Sequence, residues 1–282
     1  MTKPTNKPTN KRPRQTKTTT TKNDDRRIER WLILPDIHAS VAGDHDIAAL
    51  QTVEAFMADQ KWDGYLNLGD LIDFGIISAH NTMNLREVEG GRILEEYRVA
   101  EHILTRHEKI IRDNNPAARL VYLEGNHEYR IERLIDANPA MEGVLEVEKV
   151  LPLQKLGIEW IRSWSRGELF NLGKCSFHHG LYANDHHAKK MVQRFGKSVL
   201  YGHTHDLQVY SSHGATPDDV KVGASLGCLC KVPQRYLKGS PTRWVQAITI
   251  FESCQDTGDF WFNSIRINNG KLIYNGKVYG GN

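Results

Sequence analysis

Short apolar runs, each followed by a polar cluster, set the rhythm of this chain. Residues 31–35 (Trp-Leu-Ile-Leu-Pro), 65–68 (Tyr-Leu-Asn-Leu), 120–123 (Leu-Val-Tyr-Leu) and 198–201 (Ser-Val-Leu-Tyr) are too short for helices and apolar enough to be buried strands. Between them the period changes. Residues 47–57 have helical spacing, and Ile93, Tyr97, Ala100, Leu104 and Ile111, with Leu94 and Ile103 beside them, form one helical stripe. Asn114-Asn115-Pro116 ends that helix. A further helical stretch follows residue 128, punctuated by Pro139 and Pro152, and another helix is predicted over 185–195. From residue 158 strands dominate, with candidates at 158–161, 168–172, 174–177, 245–251, 259–267 and 271–274. Asn269-Gly270 and Asn275-Gly276 are turn signals among the last of these. There is no internal repeat. Polar motifs fall at strand ends in both halves, which predicts one α/β body over residues 29–282 rather than two domains.

Charge changes the picture at one end. The whole chain of 282 residues carries a formal +3. Residues 2–27 contain no aliphatic, aromatic or sulfur-bearing side chain, and their nine basic against two acidic residues leave them at +7 and the remainder at −4. Such a segment cannot offset its ordering entropy by apolar burial, so residues 1–28 are expected to be a disordered basic tail. It has no apolar core of a secretory signal and no amphipathic transit pattern, so a cytoplasmic location is expected. The tail fits either an electrostatic arm that attracts nucleic acid or a solvated terminus. No run approaches a membrane span, and no membrane partner is expected. Cys175, Cys228, Cys230 and Cys254 are expected to be free buried thiols; Cys228-Leu-Cys230 lacks the two-residue gap of common zinc or redox pairs.

The polar clusters carry the chemistry. Asp36 and His38 follow the first strand, Asp70 the second, Asn126 and His127 the third, and His203 and His205 the strand at 198–201; His178-His179-Gly180 adds an imidazole. Open α/β sheets place ligands outside the carboxyl ends of their strands. Two Asp, one Asn and several His make an oxygen and nitrogen donor set suited to Mn, Zn, Fe or Ni. These are too many ligands for one tetrahedral ion, whereas two ions sharing a carboxylate would use them.

The ordered motifs Asp36-Ile37-His38, Gly69-Asp70-Leu71-Ile72-Asp73, Gly125-Asn126-His127-Glu128, His179-Gly180 and Gly202-His203-Thr204-His205 resemble those of the calcineurin-like metallophosphoesterase superfamily. The resemblance implies a four-layer sandwich of two mixed β-sheets flanked by helices. It implies two divalent metal ions, one held by Asp36, His38 and His205, the other by Asn126, His179 and His203, with Asp70 bridging. His127 resembles the catalytic histidine and Asp73 the carboxylate that orients it. The implied reaction is phosphoester hydrolysis by a metal-bound hydroxide.

Substrate class is partly readable. Protein phosphatases of that superfamily have arginines where this chain has Phe74 and Glu124. A diester carries one charge and needs less clamping, so a phosphodiesterase or nuclease acting on a nucleotide or nucleic acid is expected. A phosphomonoesterase or Ser/Thr-type protein phosphatase is the alternative, and a non-catalytic metal-stabilised binding protein a third. Isolated His45, His80, His102, His107 and His213 read as structural. Asp185, His186 and His187 read as surface, and Glu128 as an acid at a helix N-terminus.

Overall fold

The computed structural model describes residues 1, 27–79, 89–214, 216, 219–234, 237 and 239–281. The basic tail expected over 1–28 lies almost wholly outside the described residues, as does His80. Two mixed sheets form the body. The first runs β11 (Phe260–Arg266), β10 (Ala247–Cys254), β1 (Ile28–Leu34), β2 (Gly64–Asn67), β3 (Arg119–Leu123) and β4 (Ile158–Ile161). The second runs β5 (Phe170–Leu172), β6 (Cys175–His178), β7 (Ser198–Tyr201), β9 (Lys221–Leu226) and β8 (Leu207–Ser212). A hairpin of β12 (Lys271–Tyr274) and β13 (Lys277–Gly280) stands apart. The helices are α1 (Ile47–Ala58), α2 (Ile93–Asn114), α3 (Tyr129–Ala137), α4 (Val147–Val150), α5 (Ser163–Arg166) and α6 (His187–Phe195).

Period-two alternation assigns each strand residue to a layer. In β1, Trp31 and Ile33 join Phe170, Phe177, Leu200 and Leu226 of the second sheet in one buried cluster. Leu32 and Leu34 face the other way, onto Val53 and Phe56 of α1 and Tyr97 and Leu104 of α2. Strand β3 does the same, with Val121 and Leu123 between the sheets and Leu120 and Tyr122 under the helices. On the outer face of the second sheet, Ala188 and Met191 of α6 cover Val199 and Tyr201, and Ala188 and Val192 lie over Gly223 of β9. The result is an α/β sandwich of two sheets packed face to face with helices outside both. Ring pairs Trp31–Phe170 (5.3 Å) and Phe177–Phe251 (5.0 Å) close the space between the sheets.

Strands β1, β2, β3 and β4 are mutually parallel, as are β6, β7 and β9. The carboxyl ends of each parallel set therefore emerge on one edge of its sheet. Strands β8, β9 and β13 carry no pattern that marks them in the sequence. β8 is a polar edge strand, β9 has small residues where it meets α6, and β13 pairs with β12 alone. Helix α6 starts at His187, with Asp185 and His186 in the turn before it.

Phe177 is fully buried between the sheets, whereas Val209 on β8 is 62 % exposed. Phe177→Ala should cost about 3–5 kcal/mol of unfolding free energy and Val209→Ala less than about 0.5 kcal/mol, measured by urea denaturation. Equal costs would place the core elsewhere.

Candidate metal centre

The turns after β1, β2, β3, β6 and β7 meet. Asp36 Oδ1 lies 3.2 Å from His205 Nε2, which lies 3.2 Å from His38 Nε2. Asn126 Oδ1 lies 3.0 Å from His179 Nε2 and 2.8 Å from His203 Nδ1. Asp70 stands between these groups, its Oδ2 3.3 Å from His179 Nε2 and 3.8 Å from His38 Nε2. All seven residues expected as ligands are thus brought together, with Asp70 at the junction. Asp36, His38 and His205 are buried, while Asn126, His127 and His203 are half-buried and open one side to solvent.

The backbone bends sharply to do this. Asp36, His38, Asp70, His203 and His205 all have left-handed φ, between 42° and 70°. Non-glycine residues occupy that region at a cost, and such strain gathers at functional sites. Two glycines give the turns room. Gly69 has φ +97°, and a Cβ there would meet His179 Nδ1 at 2.7 Å; a Cβ on Gly125 would strike Asp70.

The second nitrogen of each imidazole shows how the site is set. His38 Nδ1–H donates to Asp73 Oδ1 (3.0 Å), and His179 Nδ1–H donates to the Leu68 carbonyl (2.9 Å). Both therefore turn an Nε2 lone pair inward, the tautomer that binds cations. His205 Nδ1 faces Cys230 Sγ at 3.9 Å. Two imidazole Nε2 atoms facing each other at 3.2 Å between carboxylates are satisfied by a shared proton or by a cation. Neither donor group contains sulfur, so the residues fit divalent ions of the Mn, Zn, Fe or Ni kind.

Without cations, protons take their place. Burial disfavours charge on His179, but Asp70 more than offsets this and holds its pKa up at about 9. His38 and His205 are raised too, against burial, by Asp73 and by Cys230 and Asp36 respectively. His203 goes the other way, to about 4, through burial and the neighbouring His179. Burial opposes ionisation of Asp73, yet His127 and His38 hold its carboxyl well below the usual range.

His127 sits at the open edge. Its backbone N–H donates to Asp70 Oδ1 (2.8 Å), and its Nδ1–H donates to the Asp73 carbonyl (2.6 Å). The Asp73 carboxylate is 3.3 Å from that nitrogen but 3.0 Å from His38 Nδ1, so it holds His38 as closely as it holds His127. Arg130 Nη2 donates to His127 Nε2 (2.9 Å), and Nη1 donates to the Asp73 carbonyl (2.8 Å). An arginine is a donor only, so the His127 proton is on Nδ1 in this arrangement.

Several contributors escape sequence reading. Glu128 stands at the N-terminus of α3, as expected, but it is buried as well. Its buried carboxylate accepts from the N–H groups of Asp70 (2.9 Å), Ile72 (3.0 Å) and Gly125 (2.8 Å) and from the Tyr122 hydroxyl (2.7 Å). His187, expected at the surface, is buried; its Nε2–H donates to Asp206 Oδ2 (3.1 Å), and its other nitrogen meets the Tyr201 hydroxyl at 2.6 Å. Asp206 Oδ1 also accepts from Thr204 and Ser225, which fixes the turn between His203 and His205. The helical spacing of His187, Ala188, Met191 and Val192 was the available signal. Asp185 and His186 are exposed, as expected, with Asp185 paired to Arg243 at 3.1 Å. His178 turns away from the centre, accepts from Gly180 N–H (2.9 Å) and is held neutral by burial, its pKa lowered to about 3. His107 is a buried structural histidine bonded to Tyr65 (3.0 Å).

The indoles of Trp164 and Trp244, both half-buried, flank the centre. Trp164 packs on His179 and His203 (ring centroids 5.7 and 5.3 Å), and Trp244 packs on His205 (4.3 Å).

No protein-family model matches this chain, and no curated protein matches it. Among solved structures, a nuclease MPE of Pseudomonas putida aligns with 83 % of this chain and 87 % of its own, at 16 % identity and TM-score 0.35. A cold-active protein-tyrosine phosphatase of a psychrophilic Shewanella species aligns with 89 % of this chain and 79 % of its own, at 11 % identity and TM-score 0.34. Among the described residues, no helix is long and apolar enough to cross a membrane.

Cation binding must displace the His179 proton, so it should release protons at pH 7 and tighten as pH rises toward about 9. The sign for stability is opposite. A histidine pKa raised from 6.5 to about 9 stabilises the metal-free fold below pH 6.5, and this contribution is lost as pH rises through 9. Calorimetry in buffers of different ionisation enthalpy, with thermal melts of the metal-free protein from pH 6 to 9.5, checks both. Uptake without proton release would show that His179 is not a ligand.

Proposed function

We propose that this chain is a two-metal phosphoester hydrolase of the calcineurin-like metallophosphoesterase type, acting on a nucleotide or nucleic-acid phosphodiester. One observation carries the proposal: Asp70 Oδ2 lies between His38 Nε2 (3.8 Å) and His179 Nε2 (3.3 Å), joining two sulfur-free donor groups. Asp36, His38 and His205 would hold one ion, Asn126, His179 and His203 the other, with Asp70 shared. Two divalent ions there supply Lewis acidity, which polarises a phosphoryl group and makes water acidic enough to attack it.

The chain's own groups do the rest. Asp70 and Asp36 bring anionic charge to hold cations close, and the neutral Asn126 amide keeps that charge from repelling a phosphate. His127, at the open edge and oriented by Asp73, faces where a leaving oxygen departs. For it to donate a proton from Nε2, Arg130 must release that nitrogen, which an arriving phosphoryl oxygen would cause by taking the guanidinium. Trp164 and Trp244 offer half-buried aromatic surface beside the centre, which favours a substrate carrying bases.

Arg130 also supports a second reading. It brings a guanidinium to the histidine from α3, restoring a phosphate-binding cation where Phe74 and Glu124 replace arginines. A phosphomonoesterase uses such a cation. Turnover of a monoester, bis-p-nitrophenyl phosphate, cyclic nucleotides and single- and double-stranded DNA with Mn, Zn, Ni or Mg distinguishes the two. Diester or DNA cleavage is the expected result; hydrolysis confined to monoesters would replace the first reading with the second.

Roles within the site separate by metal content. His127→Ala should lower turnover by about 10²–10⁴-fold with metal retained, since it removes a proton donor rather than a ligand. Asp70→Asn should lose both turnover and metal, read by elemental analysis after desalting. Equal metal loss in the two variants would mean that the roles are misassigned.

A further inference from the structure

His205 faces two different chemistries. Its Nε2 meets Asp36 and His38, each at 3.2 Å, while its Nδ1 points behind the centre toward Cys230 Sγ at 3.9 Å. Cys228 and Cys230 are both fully buried, and neither forms a disulfide. They lie in an extended segment, bridged at Cys228 to Gln246 and at Cys230 to His45, so the two sulfurs share a face. Leu229 between them points instead into the core under α1. The segment is anchored where its position matters: the N–H groups of Leu229 (3.0 Å) and Cys230 (3.1 Å) both donate to the Asp36 carbonyl.

The one-residue spacing of this pair argued against a thiolate site, because no further ligand was visible nearby in the chain. The fold supplies one from 23 residues upstream of Cys228. The ligand atoms of His205, Cys228 and Cys230 all lie within 4.8 Å of one another. Around a tetrahedral ion, metal–sulfur bonds near 2.3 Å and metal–nitrogen bonds near 2.0 Å put neighbouring ligand atoms roughly 3.5–3.8 Å apart. Shifts of a few tenths of an ångström to about 1 Å, within side-chain freedom, would close the three onto one ion.

We propose that His205 Nδ1, Cys228 Sγ and Cys230 Sγ form a binding site for a thiophilic cation of the Zn2+, Cd2+ or Cu+ class, distinct in character from the oxygen and nitrogen centre beside it. Soft thiolates select such ions, whereas Mn2+ prefers oxygen and nitrogen donors. Binding converts both thiols to thiolates and, with an ion already on Nε2, displaces the His205 Nδ1 proton as well, so three protons leave to solvent and the imidazole bridges as an imidazolate. The site shares His205 with the neighbouring centre, so a thiophilic ion at Nδ1 acts on that imidazole from behind. On the reading that the centre hydrolyses phosphoesters, Cd2+ then inhibits the Mn2+-loaded enzyme.

The test titrates Cd2+ into the full chain in excess Mn2+ and follows thiolate-to-cadmium charge-transfer absorption. One equivalent should produce the band of two thiolates. Cys228→Ser and Cys230→Ser should each lose at least half of it, while Asp70→Asn and a Cys175→Ser/Cys254→Ser double variant retain it. X-ray absorption at the cadmium edge of the wild-type protein, which needs no variant to fold, should find two sulfur neighbours. No thiolate band, no sulfur neighbours, or a band abolished only in the Cys175/Cys254 variant would overturn the proposal. Retention of the band in Asp70→Asn keeps this outcome separate from any failure of the hydrolase reading.

Discussion

The site depends on a carboxylate that touches no proposed metal position. Glu128 is buried beneath the turns after β2 and β3 and takes three backbone N–H groups and the Tyr122 hydroxyl on its two oxygens. Burial and the nearby Asp70 charge push its pKa up, and it is these donors that hold it in place. Hydrogen bonds to a charged group contribute about 1.5–3 kcal/mol each, so four of them can hold two strained turns in one arrangement. Asp36 does the same across the sandwich, where both its oxygens accept from the His203 N–H at 2.9 and 3.0 Å, joining the first sheet to the second. Left-handed backbone at five of the seven proposed ligand positions is thus over-determined by buried acids rather than tolerated in loose loops.

Electrostatics then asks for cations. The body outside the basic tail is acidic, and two of its buried carboxylates, Asp36 and Asp70, sit within a ring of imidazoles. In their metal-free state those imidazoles hold protons more tightly than usual at His38, His179 and His205. A cation bound there would replace that positive charge among turns already held by buried acids. The chain therefore comes preorganised, with the cost of strain met by folding and not by binding.

What could be read from sequence follows from locality. Each proposed ligand lies within four residues of a short apolar strand, and parallel strands send their carboxyl ends to one edge, so the motifs and the elements that carry them were visible together. The α/β class followed from the same alternation. The partners were not visible, because they are tertiary. Glu128 is the helix-end acid the sequence shows, but its bonds to the turn after β2 appear only once β2 is placed beside β3. His187 looks like part of a polar surface cluster until α6 is laid on β7. Cys228 and Cys230 lack a third ligand until the turn after β7 brings His205 to them, and Arg130 lies one helical turn beyond His127, where spacing does not reveal a contact.

The central claim is that Asp70 holds two cations as a pair. Electron paramagnetic resonance of the Mn2+-loaded protein tests it most directly, because ions about 3.5–4 Å apart and sharing a carboxylate couple their spins. The account predicts two Mn2+ per chain with the multiline spectrum of an exchange-coupled pair. A spectrum of isolated Mn2+ at full loading would contradict it.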